Sequence, residues 1–179
     1  MQQNGAKVTL GAIDKPDKEY KNLDDALSAY LYLDFSNYYD EQDLDGFKNW
    51  YYIQAQEERD HAMLMLQYMQ QNGAKVTLDA IEKPDKEYKV LDDPLKFGLE
   101  HEIYVTGLIN DIYAAAFEIK DFRTMQFLDW FVKEQAEEED NASSLINKFK
   151  LFATDGKGLH ALDQDLQARV YSAPSLVVG

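Results

Sequence analysis

Glu58 and His61 stand three residues apart within Gln54–Met63, and a carboxylate and an imidazole at that spacing form a metal-ligand pattern. On a helix this step sets the two side chains about 60° apart around the axis, so both leave one face, a turn apart. Trp50, Tyr51, Leu64, Met65 and Tyr68 flank the pair on that face at helical spacing. A carboxylate and an imidazole in an apolar face are costly unless paired or bound to a metal. Taken alone, such a pair is more often an exposed turn of an acidic helix. Partners elsewhere in the chain decide between the two readings.

Those partners exist. Glu102 lies in a segment Leu-Glu-His-Glu, and Glu134, Gln135, Glu137 and Glu138 lie in one run further on. A second Glu-x-x-His starting at Glu138 would need histidine at 141, where the chain has Asn141, so this set contains one imidazole. Carboxylates projecting inward from facing helices are how four-helix bundles hold pairs of iron ions. Hard oxygen donors with a single nitrogen suit Fe(II) and Fe(III).

Four long helices must position these groups. The pattern predicts a first helix over about 22–42 and a short turn at Asp43–Gly46. A second helix is predicted over about Phe47–Gln71, antiparallel to the first because the turn is short. Residues 72–90, rich in turn residues, read as a long connection, and a crossover along the side of a bundle explains that length. A third helix over Leu91–Ile119, a break at Lys120–Asp121 and a fourth helix over Phe122–Ala153 follow. Gly156 and Gly158 end it, a short fifth helix spans Leu159–Ala168, and the apolar tail from Val170 to Gly179 is expected to be loosely ordered. The fold class is therefore all-α, with residues 1–170 one domain and 171–179 a tail. Met63, Met65 and Met69 read as core, and His101 and His160 as structural or surface groups.

Residues 1–27 repeat residues 69–95 without gaps and differ only at positions 11, 14, 22 and 26 of the first copy. Solenoid units recur three or more times, so this is a duplicated segment and not an architectural repeat. Its Gly, Lys and Pro content places residues 1–21 outside the bundle core, as an atypical start to the chain.

The formal net charge of −15, from 33 acidic and 18 basic residues, repels phosphate backbones and favours cations. Aromatic residues make up 13 %, too many for a disordered acidic chain. There is no cysteine, no membrane-length apolar run and no signal-like start, which leads to the expectation of a cytoplasmic protein without nucleic-acid or membrane partners.

As a set, Ser28–Leu33, Gly46–Trp50, Gln56–Met63, Leu99–Glu102 and Phe127–Gln135 resemble the bacterial non-haem ferritins, in order, over about residues 26–170. The resemblance implies a ferritin-like four-helix bundle with a crossover between helices two and three and a short fifth helix. It implies a ferroxidase that oxidises Fe(II) with O2 or peroxide and stores ferric mineral inside a homo-oligomeric shell of 24 subunits, without haem. Glu58 then matches the bridging carboxylate and His61 the imidazole of the first iron. Glu102 and Glu138 match ligands of the second iron, and Glu57, Glu134 and Glu137 a third position that shares Glu138. Gln135 and Tyr32 match residues beside the centre, and Trp130 an aromatic close by. The chain departs from the family on the first helix, where Asp25 stands in place of a glutamate ligand of the first iron. A shorter side chain implies a weaker first position, so an assembly-altered or engineered variant with weakened ferroxidase activity is the alternative reading. A DNA-protecting mini-ferritin is disfavoured, because that family builds its site between subunits and lacks this Glu-Glu-x-x-His context.

Overall fold

A computed structural model describes residues 25–178 apart from 79 and 82, with side chains from residue 28 onward. The duplicated start of the chain, the expected helix start at Asn22 and the side chain of Asp25 lie outside the described residues.

Five helices follow one another: α1 (Asp25–Glu41), α2 (Asp45–Gln71), α3 (Asp93–Glu118), α4 (Phe122–Phe152) and α5 (Gly156–Gln167). Among the described residues there is no strand, and no helix is long and apolar enough to cross a membrane. α1 packs on α2, α3 on α4, and α5 against the ends of α2 and α4. The extended stretch after Gly73 joins the two hairpins, as expected of a crossover.

The apolar interior is split along the bundle axis. Phe35, Tyr39, Phe47, Tyr51, Leu95, Leu145 and Leu162 form one cluster, and Tyr68, Val105, Ile109, Phe127, Leu128 and Phe131 the other. On α2, Glu58 and His61 fall between the residues of the two clusters; on α3, Glu102 does; on α4, Gln135 and Glu138 do. A layer of buried polar groups therefore crosses the bundle between two blocks of well-packed apolar side chains, which exclude water from it from both ends.

Helix ends are set by side chains. Asp121 accepts from the Thr124 amide (3.2 Å) at the start of α4, and Asp155 accepts from the Lys157 and Gly158 amides (2.9 and 2.8 Å) at the start of α5. Gly156 and Gly158 thus open α5 instead of following the end of α4, because the cap at Asp155 satisfies the orphan amides there. α2 lacks a local cap. The Gly46 and Phe47 amides donate instead to buried Asp163 of α5, at 2.8 and 3.1 Å. A Cβ on Gly46 would lie 1.7 Å from the Asp163 carbonyl oxygen, so only glycine permits this approach. This cap starts α2 at Asp45, two residues earlier than the pattern suggests. Asp163→Ala removes the acceptor for two buried amides, and the expected loss is about 2–3 kcal/mol. Denaturant unfolding checks this; an unchanged midpoint contradicts it.

Two expectations fail. Met63 is 46 % exposed on the outer side of α2 and is not core, whereas Met65 and Met69 are buried. The tail is not loose: Leu176 and Val178 pack against the second apolar cluster, and the Trp130 Nε1 donates to Ser175 Oγ at 3.0 Å. An apolar tail beside an open apolar helix surface gains by covering it.

Candidate metal centre

Within the polar layer, α2 contributes Gln54, Glu58 and His61, α3 contributes Glu102, α4 contributes Gln135 and Glu138, and α1 contributes Tyr32. All seven are buried. Tyr32 Oη donates a hydrogen bond to Glu102 Oε1. Gln135 Nε2 donates to Glu102 Oε2 at 3.2 Å, and Gln54 Nε2 donates to Glu138 Oε2 at 2.7 Å. Glu58 Oε1 has no hydrogen-bond partner, alone among the buried side-chain polar atoms described. Its nearest cationic candidate, His61 Nδ1, stands 3.8 Å away, and His61 Nε2 is 4.0 Å from Glu134 Oε1. The His61 ring is wedged edge-on against Trp130 and Phe131, with centroids 5.4 and 6.0 Å apart, which fixes its direction.

Three carboxyl groups in a dry layer cannot all be ionised without a cation. Burial and then the Glu138 charge hold the Glu58 carboxyl well above the usual range. Burial, then Glu58, pushes Glu102 up to about 8; burial, then Glu102, pushes Glu138 up to about 7. Burial, then Glu102, also raises the Tyr32 phenol, so it stays a donor. A cavity of about 20 Å³, room for one water-sized species, opens between Glu102 and Glu138 beside Tyr32, Gln54 and Asn141.

These groups fit a hard divalent cation by donor chemistry: carboxylate oxygens, one of them buried and orphaned, and one imidazole. The arrangement is nevertheless a proton-holding one. Among the described residues no three His, Asp or Glu side chains are set to hold a metal together, and Tyr32, Gln54 and Gln135 occupy the Glu102 and Glu138 oxygens instead. A cation entering the layer must displace these donors and the protons.

The remaining candidates lie at the edge of the layer. Glu134 is half-buried. Glu137 is 60 % exposed, pairs with Lys133 at 3.4 Å and lies close enough for its charge to act on Glu134. Glu57 is largely covered and pairs with Arg169 at 2.5 Å. His101 is covered, accepts or donates with Ser28 Oγ at 2.6 Å, and is held neutral by burial, which lowers it to about 4; His160 is exposed. Sequence reasoning missed Gln54, Asp163 and Arg169. Gln54 was detectable, since it precedes Glu58 by four residues on the same helical face; the other two act across more than a hundred residues.

The sign of the pH dependence follows. Carboxyl groups raised in the fold bind protons there that the unfolded chain has released, so their stabilisation is complete below the unfolded value of 4.5 and is lost as pH rises toward about 8. The metal-free protein is expected to lose melting temperature between those limits, and Zn(II) to reverse the loss. Calorimetry with Glu102→Gln as control tests this; a melting curve equally pH-dependent in that variant contradicts it.

Comparison with known proteins agrees with the geometry. A family model described as a ferritin-like domain matches residues 26–152. The chain is 37 % identical over 139 residues to a probable bacterial non-heme ferritin-like protein of Haemophilus influenzae, covering 78 % of this chain and 84 % of that protein. It is 35 % identical over 137 residues to a bacterial non-heme ferritin of Campylobacter jejuni, covering 76 % and 82 %. Among solved structures, an open-pore ferritin of Archaeoglobus fulgidus superposes with a TM-score of 0.79 at 39 % identity, covering 82 % of this chain and 90 % of that one. An engineered closed form of that ferritin gives a TM-score of 0.80 at 38 % identity, covering 83 % and 90 %.

Proposed function

Because the chain belongs to the ferritin family, we propose that it stores iron by oxidising Fe(II) at the buried polar layer and depositing ferric mineral inside a homo-oligomeric shell. The observation that carries this reading is Glu58 Oε1, a buried carboxylate oxygen with no partner, in a layer that also holds His61, Glu102 and Glu138. No core gains stability from such a group, so its place is explained by a ligand.

Fe(II) is the substrate. Glu58 serves as the shared carboxylate, His61 as the imidazole of the first position, and Glu102 and Glu138 as the carboxylates of the second. Glu57, Glu134 and Glu137 form a further position toward the edge. Asp25, at the start of α1, is assigned to the first position, with a shorter reach than glutamate. Loading expels the protons of Glu102 and Glu138 and frees Tyr32, Gln54 and Gln135 to bond the outer oxygens, which orients the carboxylates. Each of two Fe(II) ions gives one electron. O2 takes both electrons with two protons and leaves as hydrogen peroxide; with peroxide as oxidant the product is water. Trp130 fixes the His61 ring, and the apolar blocks on either side keep bulk water from the oxidant. The shell is assigned 24 subunits and a cytoplasmic setting, without haem, nucleic acid or membrane partners.

The test is aerobic addition of Fe(II) to metal-free protein, followed by ferric absorbance and by size-exclusion chromatography. Oxidation much faster than in buffer, with iron eluting with the protein, is expected. Oxidation at the buffer rate with iron precipitating free of protein contradicts the reading.

A further inference from the structure

The chain after α5 is built across the edge of the polar layer. Asn49 of α2 donates to the Gln167 and Arg169 carbonyls, at 3.4 and 3.0 Å, and pins the end of α5. From there the Arg169 guanidinium lies over the Trp50 ring, 4.2 Å from its centre, donates to the Trp50 carbonyl at 3.2 Å and reaches Glu57 Oε2 at 2.5 Å. Tyr171 donates to Asp60, the Ser172 amide to Glu57, and Trp130 to Ser175. Gln71 Nε2 closes the run on the Val178 carbonyl at 3.2 Å. Residues 169–178 therefore form a strap along α2, held at both ends and bonded in the middle to α4.

Glu57 is mostly desolvated and feels the charge of Glu134, which itself stands 4.0 Å from His61. A second carboxylate at this edge needs a positive partner. Arg169 supplies it from a side chain stacked on the Trp50 ring and fixed by one further hydrogen bond, to the Trp50 carbonyl, a geometry that suits a permanent occupant more than a surface ion pair.

We propose that Arg169 is a tethered counter-ion that stands in the cation position at Glu57, the carboxylate that feels the Glu134 charge, so that a metal ion enters there only by lifting the strap. The inference rests on the reading of Glu57, Glu134 and Glu137 as a further metal position. It makes that position the last to fill, and it makes loading visible: both tryptophans of the chain touch the strap, Trp50 through Arg169 and Trp130 through Ser175.

The experiment is titration of metal-free, full-length protein with Zn(II), which has no redox chemistry, followed by calorimetry and tryptophan emission. In the parent, the weakest class of zinc is expected to shift the emission as the strap lifts. Arg169→Gln should bind that class about tenfold more tightly and show the shifted emission before zinc is added. Arg169→Lys, which keeps the charge, should bind zinc like the parent. Glu134→Gln should lose the class. Circular dichroism verifies that each variant is folded. If Arg169→Gln binds the weak class with parental affinity while Glu134→Gln loses it, the counter-ion role is overturned and the metal position stands. A zinc count unchanged in Glu134→Gln overturns the position and the inference with it.

Discussion

Replacing Glu58 and His61 together with alanine should reduce the fast phase of Fe(II) oxidation by more than about 100-fold, since loss of a supporting partner alone costs about 10- to 100-fold in metal sites. Both side chains are within the buried layer, where Glu58 Oε1 is orphaned, His61 Nδ1 is 3.8 Å from it, and Gln54, which bonds the Glu58 carboxyl, keeps Glu138 as a partner. The helices should therefore form normally, and the far-ultraviolet circular dichroism of the variant should match that of the parent. A second measurement separates function from scaffolding. Glu58→Gln keeps the shape of the side chain and removes a carboxyl group that burial penalises, so the metal-free melting temperature should rise by a few degrees while the oxidation rate falls. Oxidation kinetics unchanged in the double variant would sink the proposed site. A large fall in melting temperature in Glu58→Gln would mean that the carboxylate supports the core instead.

A single negative charge at Leu33 or Tyr52 should break the proposed shell into small species. α1 and α2 form an outward apolar groove, with a volume of about 670 Å³, lined by Tyr30, Leu33, Tyr52, Met63, Leu78 and Ile81 among others. All six are exposed in the isolated chain. A patch of this kind on an otherwise strongly acidic protein marks a surface that is covered in the working form. The occupant proposed is a second copy of this chain, in keeping with the assembly proposed above, because a face whose lining is apolar apart from Gln56 and Arg59 can meet itself across a two-fold axis. Burying an unpaired aspartate at such a centre costs several kcal/mol per subunit pair, and the cost recurs at every equivalent contact of a closed shell. Leu33→Asp and Tyr52→Asp should keep their helix content, since both residues are exposed on the monomer, yet elute as monomers or dimers in light scattering. An unchanged mass would remove this groove from the assembly.

Both predictions rest on features that differ in how visible they are along the chain. Residue spacing alone places the four long helices, the crossover and the Glu58–His61 pair; the grouping of Glu102 and Glu138 with that pair comes from the resemblance to the bacterial non-haem ferritins. Those features are local: a helix shows its buried face by period, and a pair three residues apart shows its common direction without any partner. Helix ends are less visible where their cap is distant. The start of α2 depends on Asp163, which lies 117 residues from Gly46 in the chain. Period also marks every apolar stripe alike, so Met63, on the groove side of α2, reads the same as Met65 in the core. The partners of the carboxylates were decided only by the packed bundle, since Tyr32 reaches Glu102 from a helix that begins far earlier, and Gln54 reaches Glu138 across 84 residues. The strap is the extreme case. An apolar tail carries no period that would reveal a docking surface, and the meeting of Arg169 with Glu57, 112 residues apart, exists only because α5 returns the chain to the side of α2. Local spacing determines which residues face inward together; which of them meet, and in what protonation state, is fixed by close packing, because burial and a neighbour's charge are properties of the assembled layer and not of the chain.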